Sequence, residues 1–305
     1  MHPLYYIIMG IIQGITEWLP VSSSGHLVVI QHVYSAQERT LFDAFLHLGT
    51  LLAALFYLRR DVKAILRVIW ARAMGEKNGR DGGQKAWNKS KKCTERGEGV
   101  GDKGGGEWAN ALSRRGDECA DDALVLSPTN VLVASLPIVV IGYFLRGIIE
   151  MCFMSIRIVA ALFILNGIIL ATNIYWDRRY ARGKHARCIT LWNALVIGLG
   201  QSIALLPGIS RSGATITVAR GMRIEPEDAA RFSILISIIP IFCATAYKFY
   251  TAAFLFDYYY ILGFALAFIV GYFAIKALIA VAVARKMAYF GVYTAVLGVI
   301  LLIML

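Results

Sequence analysis

Apolar residues run along this chain in long stretches with few charged interruptions. Six of them, at about residues 40–58, 125–147, 154–176, 227–252, 258–284 and 287–305, meet the roughly 20-residue length of a membrane-spanning helix. They are too long and too evenly apolar for barrel strands, and inside lipid the backbone leaves only helix or closed barrel as choices. Two further apolar regions, 4–34 and 188–222, are interrupted near the middle. The first breaks at Pro20-Val21-Ser22-Ser23-Ser24-Gly25, the second at Pro207-Gly208-Ile209-Ser210-Arg211-Ser212-Gly213. Each half is only about 12–16 residues long, too short to span comfortably. Proline, glycine and serine at membrane depth are tolerated where the backbone is buried in protein or lines a wet cavity. Both regions therefore read as re-entrant helical hairpins.

The two breaks resemble each other. An offset of 188 positions aligns Gly10 with Gly198, Gln13 with Gln201, Ile15 with Ile203, Ser22 with Ser210, Ser24 with Ser212 and Gly25 with Gly213. Chance agreement between two glycine- and serine-rich segments competes with an internal repeat. The order of elements, hairpin plus three spans and again hairpin plus three spans, favours the repeat.

Charge orients these elements. Residues 59–124 hold 15 Lys/Arg and 11 Asp/Glu, and the part nearest the membrane (Arg59, Arg60, Lys63, Arg67, Arg72) is the most one-sided. Residues 177–187 carry Arg178, Arg179, Arg182, Lys184 and Arg187 against Asp177, and Arg285-Lys286 form a third basic turn. The positive-inside rule puts all three in the cytoplasm. The turns at 147–153, with Glu150, and 253–257, with Asp257, then lie outside, as do both termini. Three spans separate the hairpins, so the halves have opposite orientation. The expected architecture is an all-α integral membrane protein. It has six transmembrane helices and two re-entrant hairpins in an inverted-topology repeat, whose sites typically lie at broken helices near the midplane. It is a single membrane domain, 1–305, with repeat 1 at about 1–176 and repeat 2 at about 188–305.

Composition agrees: 58% of residues are hydrophobic and the mean hydropathy is +0.60. The net charge of +11 is absorbed by cytoplasmic loops, and nothing else supports nucleic-acid binding. Residues 76–122, rich in Gly, Lys, Asp and Glu, cannot bury enough apolar surface to offset their ordering entropy. A disordered cytoplasmic insert is expected there, with a small folded insert as the weaker alternative. Asp61 to Met74 alternate basic and apolar residues at helical spacing, as in an interfacial helix. Tyr258, Tyr259 and Tyr260 read as an interfacial belt. Cys93, Cys119, Cys152, Cys188 and Cys243 fit no zinc or redox spacing. The first apolar stretch lacks the basic flank and small-residue cleavage site of a removable signal peptide.

Candidate chemistry concentrates at the two breaks. Gln13 and Glu17, four apart, share a helix face, and His26 follows the break. An acid inside a membrane segment is a functional-site hypothesis by default; the bland alternative is a structural Glu bonded to the turn. Ser22, Ser23 and Ser24 open the second half-helix, where unpaired amides bind phosphate and where serine is also a plain N-cap. A nucleophilic serine needs a neighbouring base, which Glu17 or His26 supplies. At the second break, Arg211 stands between Ser210 and Ser212, with Thr215 one turn on. Its planar fork suits phosphate oxygens, and a salt bridge to Glu17 is the alternative use. Together these groups suit phosphoryl transfer, which needs positioning and charge stabilisation. Asp43 and His47, four apart at the start of the first span, extend the site or merely cap it.

These motifs resemble the undecaprenyl-diphosphate phosphatases, the UppP or BacA (bacitracin resistance) family. Gln13-Gly14-Ile15-Thr16-Glu17-Trp18-Leu19-Pro20-Val21-Ser22-Ser23-Ser24-Gly25-His26 matches its first motif and Pro207-Gly208-Ile209-Ser210-Arg211-Ser212-Gly213-Ala214-Thr215 its second. The resemblance covers essentially the whole hydrophobic chain. It implies hydrolysis of a polyprenyl diphosphate to the monophosphate, recycling the carrier lipid of cell-wall glycans. It also implies an outward-facing site in the plasma membrane and a divalent cation, Mg2+ or Ca2+. Carried over, Glu17 and His26 are catalytic or metal-associated and Ser23 is the candidate nucleophile. Arg211, with Ser22, Ser24, Ser210, Ser212 and Thr215, binds phosphate. Gln13 stands where many members have Glu, which weakens a metal-ligand role there. Serine attack and direct water attack stay open, as does a homodimer. The rival class is an inverted-repeat secondary transporter or lipid flippase.

Overall fold

The computed structural model describes residues 3–33, 40–74, 127–180, 189–251 and 257–304. The 76–122 insert lies outside them. The described residues form twelve α-helices and no strand. In order these are α1 (Pro3–Trp18), α2 (Ser23–Val33), α3 (Thr40–Tyr57), α4 (Arg59–Ala73), α5 (Pro128–Phe144), α6 (Arg146–Met154), α7 (Ile156–Arg179), α8 (Leu191–Ile203), α9 (Arg211–Gly221), α10 (Pro226–Thr251), α11 (Tyr259–Val283) and α12 (Met287–Met304).

Four of them, α7, α10, α11 and α12, are each long and apolar enough to cross a bilayer. The pairs α3–α4 and α5–α6 also qualify if each bent pair counts as one span. The protein is thus a multi-pass helical membrane protein, and its long helices follow the apolar runs in the sequence. α1 and α2 have 16 and 11 residues, α8 and α9 13 and 11. At 1.5 Å per residue the 11-residue helices reach only about 16 Å, roughly half a hydrocarbon core.

Two details depart from the sequence reading. The 147–153 segment, expected as a turn, belongs to α6, which is bent 75° from α5. It has no buried residue, and Arg146 Nε donates to Glu150 Oε1 at 2.7 Å, an i,i+4 pair that favours helix over turn. The Tyr258–Tyr260 belt is also divided. Tyr258 is exposed, whereas Tyr260 is buried against Tyr6 and Phe42 at ring separations of 5.9 and 5.2 Å. The helix expected over Asp61–Met74 forms as α4, bent 80° from α3 and carrying Leu66, Ile69 and Trp70 on its exposed surface.

Lipid gives helices no hydrophobic reason to associate, so close backbone approach at small residues does that work. α7 and α12 cross where Gly167 faces Gly291. A Cβ on Gly167 would lie 2.6 Å from Gly291 O, and one on Gly291 2.8 Å from Gly167 O. α1 lies on α11 with Gly10 against Gly263 O, 2.6 Å from an added Cβ. α8 lies on α5 with Gly198 against Ala134 O, 2.4 Å from an added Cβ. The first helix of each broken region therefore packs on the middle long helix of the other half. α3 and α10, the helices that follow the two breaks, pack on each other.

Gly198→Val would force a branched side chain into the Ala134 backbone. The thermal midpoint in detergent is expected to fall by the equivalent of about 1–3 kcal/mol, the usual cost of overpacking. Gly147→Val, where nothing lies within 4 Å of an added Cβ, is expected to leave that midpoint in place.

Candidate active site

The first break is narrower than the sequence suggested. α1 ends at Trp18 and α2 begins at Ser23. Between them Ser22 adopts φ 69°, a left-handed conformation uncommon for a residue with a Cβ. In this pose Ser22 Oγ accepts the Gly25 amide at 3.4 Å, in the manner of an N-cap, and also the Gly208 amide at 3.1 Å. Gly208 itself has φ 111° and lies in the second break. At that break Ser210 caps α9 through the Gly213 amide at 3.1 Å. The two serines that cap are those paired by the 188-residue offset.

Further contacts tie the breaks into one unit. Ser212 Oγ donates to Trp18 O at 2.8 Å. Asn166, fully buried in the middle of α7, accepts the Ser210 amide at 2.9 Å and donates to Pro20 O at 3.2 Å. One amide thus satisfies backbone groups of both turns, which lipid could not do.

The joined breaks bring Glu17 and Arg211 together. Glu17 is 6% exposed, and its Oε1 is paired with Arg211 Nη2. Its Oε2 accepts Ser23 Oγ at 2.6 Å and Gln13 Nε2 at 2.9 Å. His47 of α3 completes the cluster, with Nδ1 3.0 Å from Gln13 Nε2 and 3.6 Å from Glu17 Oε2. Removing either member of a buried ion pair leaves an uncompensated charge. Glu17 is therefore held by four side chains from α1, α2, α3 and α9.

Not every residue singled out from the sequence joins this cluster. His26 sits between Ser22 O, 2.7 Å from Nδ1, and the Tyr293 hydroxyl, 2.9 Å from Nε2. Nδ1 therefore donates to the carbonyl, and Nε2 accepts from Tyr293. Both ring nitrogens are thus engaged away from Ser23, and Glu17 is the base in contact with the serine. Ser24 Oγ lies 3.3 Å from Ser22 Oγ, and Ser210 Oγ 3.2 Å from Ser212 Oγ. Thr215 points elsewhere: its hydroxyl donates to the Arg211 carbonyl at 2.8 Å and meets Ser233 of α10 at 2.6 Å, fully buried.

Other participants carried only a weak signal or none. His47 shared its interfacial-cap reading with Asp43, and only the fold puts it against Glu17. Asn166 is marked in the sequence only as an amide amid an apolar span, and nothing in the sequence marks Tyr293.

Chemically, a hydroxyl 2.6 Å from a carboxylate is a nucleophile–base geometry. The guanidinium beside it is a ready anion partner, offered at the start of α9, where the helix end adds partial positive charge. Among the described residues no group of three His, Cys, Asp or Glu could hold a metal ion. Gln13 Oε1, however, is a buried oxygen without a hydrogen-bond partner, on the amide whose nitrogen donates to Glu17. One carboxylate and one amide oxygen suit a hard cation whose remaining ligands come with a phosphorylated substrate.

Comparison with known proteins is consistent along the chain. The family model for bacitracin resistance protein BacA matches residues 6–300. The undecaprenyl-diphosphatase of Desulfosudis oleivorans is 33% identical over 98% of this chain and 97% of its own length. That of Desulforudis audaxviator is 32% identical over 99% and 98%. That of Korarchaeum cryptofilum is 30% identical over 98% of each.

Asn166→Leu keeps the side-chain size but loses both contacts to the breaks. Phosphate-transfer activity is expected to fall about 10–100-fold, the worth of leaving buried backbone groups unpaired. Steady-state kinetics on the monodisperse variant checks this.

Proposed function

The chain belongs to the bacitracin resistance protein BacA family, and on that premise we propose how Glu17, Ser23 and Arg211 carry its chemistry. The protein is an undecaprenyl-diphosphatase, as its relatives are named. Its reaction splits a polyprenyl diphosphate into the monophosphate and inorganic phosphate. The observation that carries the assignment is the meeting of Glu17 and Arg211, 194 residues apart in sequence, with Ser23 bonded to the same carboxylate.

In this reading the diphosphate exchanges places with Glu17 as the partner of Arg211. Bidentate guanidinium contacts hold the terminal phosphoryl oxygens. Helix N-termini at Ser23 and Arg211 add amide donors, with Ser22, Ser24, Ser210 and Ser212 shaping the turns that present them. Glu17, released from the ion pair, takes the proton of Ser23 Oγ as the oxygen attacks the terminal phosphorus. The P–O anhydride bond breaks and the prenyl monophosphate leaves. Glu17 passes that proton to the departing monophosphate oxygen; the regenerated carboxylate then takes a proton from water as the water attacks the phosphoserine, and returns it to Ser23 Oγ as inorganic phosphate leaves. His26, clamped by Ser22 O and Tyr293, positions the α2 turn that carries Ser23. Glu17 and Gln13 are the residues that would hold Mg2+ or Ca2+, which supplies charge neutralisation to the diphosphate.

The membrane arrangement we infer has six spans and two re-entrant hairpins in an inverted repeat, with the hairpin site and both termini facing outside the plasma membrane. The matched caps at Ser22 and Ser210 support it. So does the exchange of partners between halves, α1 with α11 and α8 with α5. The role that follows is recycling of the carrier lipid for cell-wall glycans.

Phosphate release from undecaprenyl diphosphate in detergent, with and without chelator, tests this reading. Wild-type protein should release phosphate; a transporter or flippase would release none. Glu17→Ala and Arg211→Ala should each lower kcat by at least about 10²–10³-fold, the usual loss of a charge-stabilising or base group. Ser23→Ala should abolish the phosphoserine trapped by acid quench. Undiminished turnover by Ser23→Ala would instead assign the attack to water.

A further inference from the structure

One more cation approaches this region from α10. Lys248 lies in the last turn of that helix, and its Nζ is 3.7 Å from Asp43 Oδ2 on α3. A lysine near a helix C-terminus is favoured by the dipole and normally extends its ammonium toward water. Lys248 instead reaches across to Asp43, with its side chain 30% exposed and that of Asp43 14%.

The pair is loosely made. A charge-assisted N–O contact is typically about 2.7–2.9 Å, well short of this separation. Gln31 Nε2 reaches the two Asp43 oxygens only at 3.4 Å each. Among the described residues, no shorter contact holds either group.

Asp43 and His47 are four apart on α3 and share one face, separated by about 6 Å along the helix axis. His47 touches Gln13 and lies 3.6 Å from Glu17. The polar groups thus form one strip, from Arg211 through Glu17 and His47 to Asp43 and Lys248, with a cation at each end. A diphosphate carries two anionic phosphoryl groups, and a single arginine serves only one of them well.

Building on the diphosphatase reading, we propose that Lys248 is a second phosphate-binding residue. It takes the phosphoryl group that Arg211 does not hold, and Asp43 occupies it while the site is empty. The weak ion pair is then a competitor for substrate, and Lys248 makes the site selective for a diphosphate over a monophosphate. A purely structural ion pair tying α3 to α10 makes the opposite prediction for Asp43, because losing either partner would then harm the protein alike.

The test uses the full-length protein in detergent. KM and kcat are measured on undecaprenyl diphosphate, with inorganic pyrophosphate and orthophosphate as competing inhibitors. Lys248→Met is expected to raise KM and the pyrophosphate inhibition constant about tenfold, the scale of one hydrogen bond to a charged group. The orthophosphate constant and kcat stay near wild type. Lys248→Arg restores most of the loss, and Asp43→Asn lowers KM. If Lys248→Met and Asp43→Asn shift KM the same way, or if both inhibitors weaken in parallel, the Lys248 assignment is overturned while the activity stands. Should Lys248→Met not fold, the direction of the Asp43→Asn shift decides alone. Wild-type protein that releases no phosphate would overturn the activity itself and this proposal with it.

Discussion

A carboxylate buried between helices is the constraint around which this molecule is arranged. Glu17 is almost sealed from solvent, and its position is costly without a countercharge. Arg211 supplies the countercharge from 194 residues further along the sequence, while Ser23 and Gln13 donate to the second carboxylate oxygen. The grouping that makes the acid tolerable is the grouping a phosphoryl-transfer site needs. The base is already bonded to its hydroxyl, and the cation is already in place. An anionic substrate can replace the carboxylate as the partner of Arg211, which frees the base when it is needed.

That arrangement depends on the two interrupted helices meeting with their turns interlocked. Ser22, held at positive φ, reaches across to Gly208, Ser212 reaches back to Trp18, and Asn166 bonds both turns. Strain at a residue such as Ser22 persists only where its surroundings over-determine it, and here three separate hydrogen-bond bridges do so. Glycines on the long helices let the scaffold close around the turns. Gly10 and Gly198 permit each broken region to lie directly on a backbone carbonyl of its neighbour. The active groups therefore sit on helix ends held by packed helices, not on free loops.

Much of this was legible in the sequence because the membrane restricts the choices. Apolar runs of spanning length are read directly as helices, and their bounds agree with α3, α5, α7, α10, α11 and α12. The breaks were visible because Pro20 and Pro207 are each followed by a short run of Ser and Gly that interrupts the apolar stretch. Glu17 and Arg211 stood out because charge at membrane depth demands a reason. The directions of side chains were not legible. Periodicity gives the face of a helix but not which neighbour lies opposite. The turn of Thr215 toward Ser233, the capture of His26 by Tyr293 and the arrival of His47 beside Gln13 are all set by tertiary packing. The α5–α6 bend was hidden for a related reason: 125–147 reads as one apolar span followed by a turn at 147–153, and no proline or glycine stands at Leu145 to announce the change of direction.

Glu17 and Arg211 must address one diphosphate if the paired breaks form the active site. An experimental structure with a non-hydrolysable methylene-bridged prenyl diphosphonate tests it most directly. The terminal phosphonate is expected on the Arg211 guanidinium, with Ser23 Oγ facing its phosphorus and Glu17 parted from the arginine. An analogue seated elsewhere, with the Glu17–Arg211 pair intact, would contradict it.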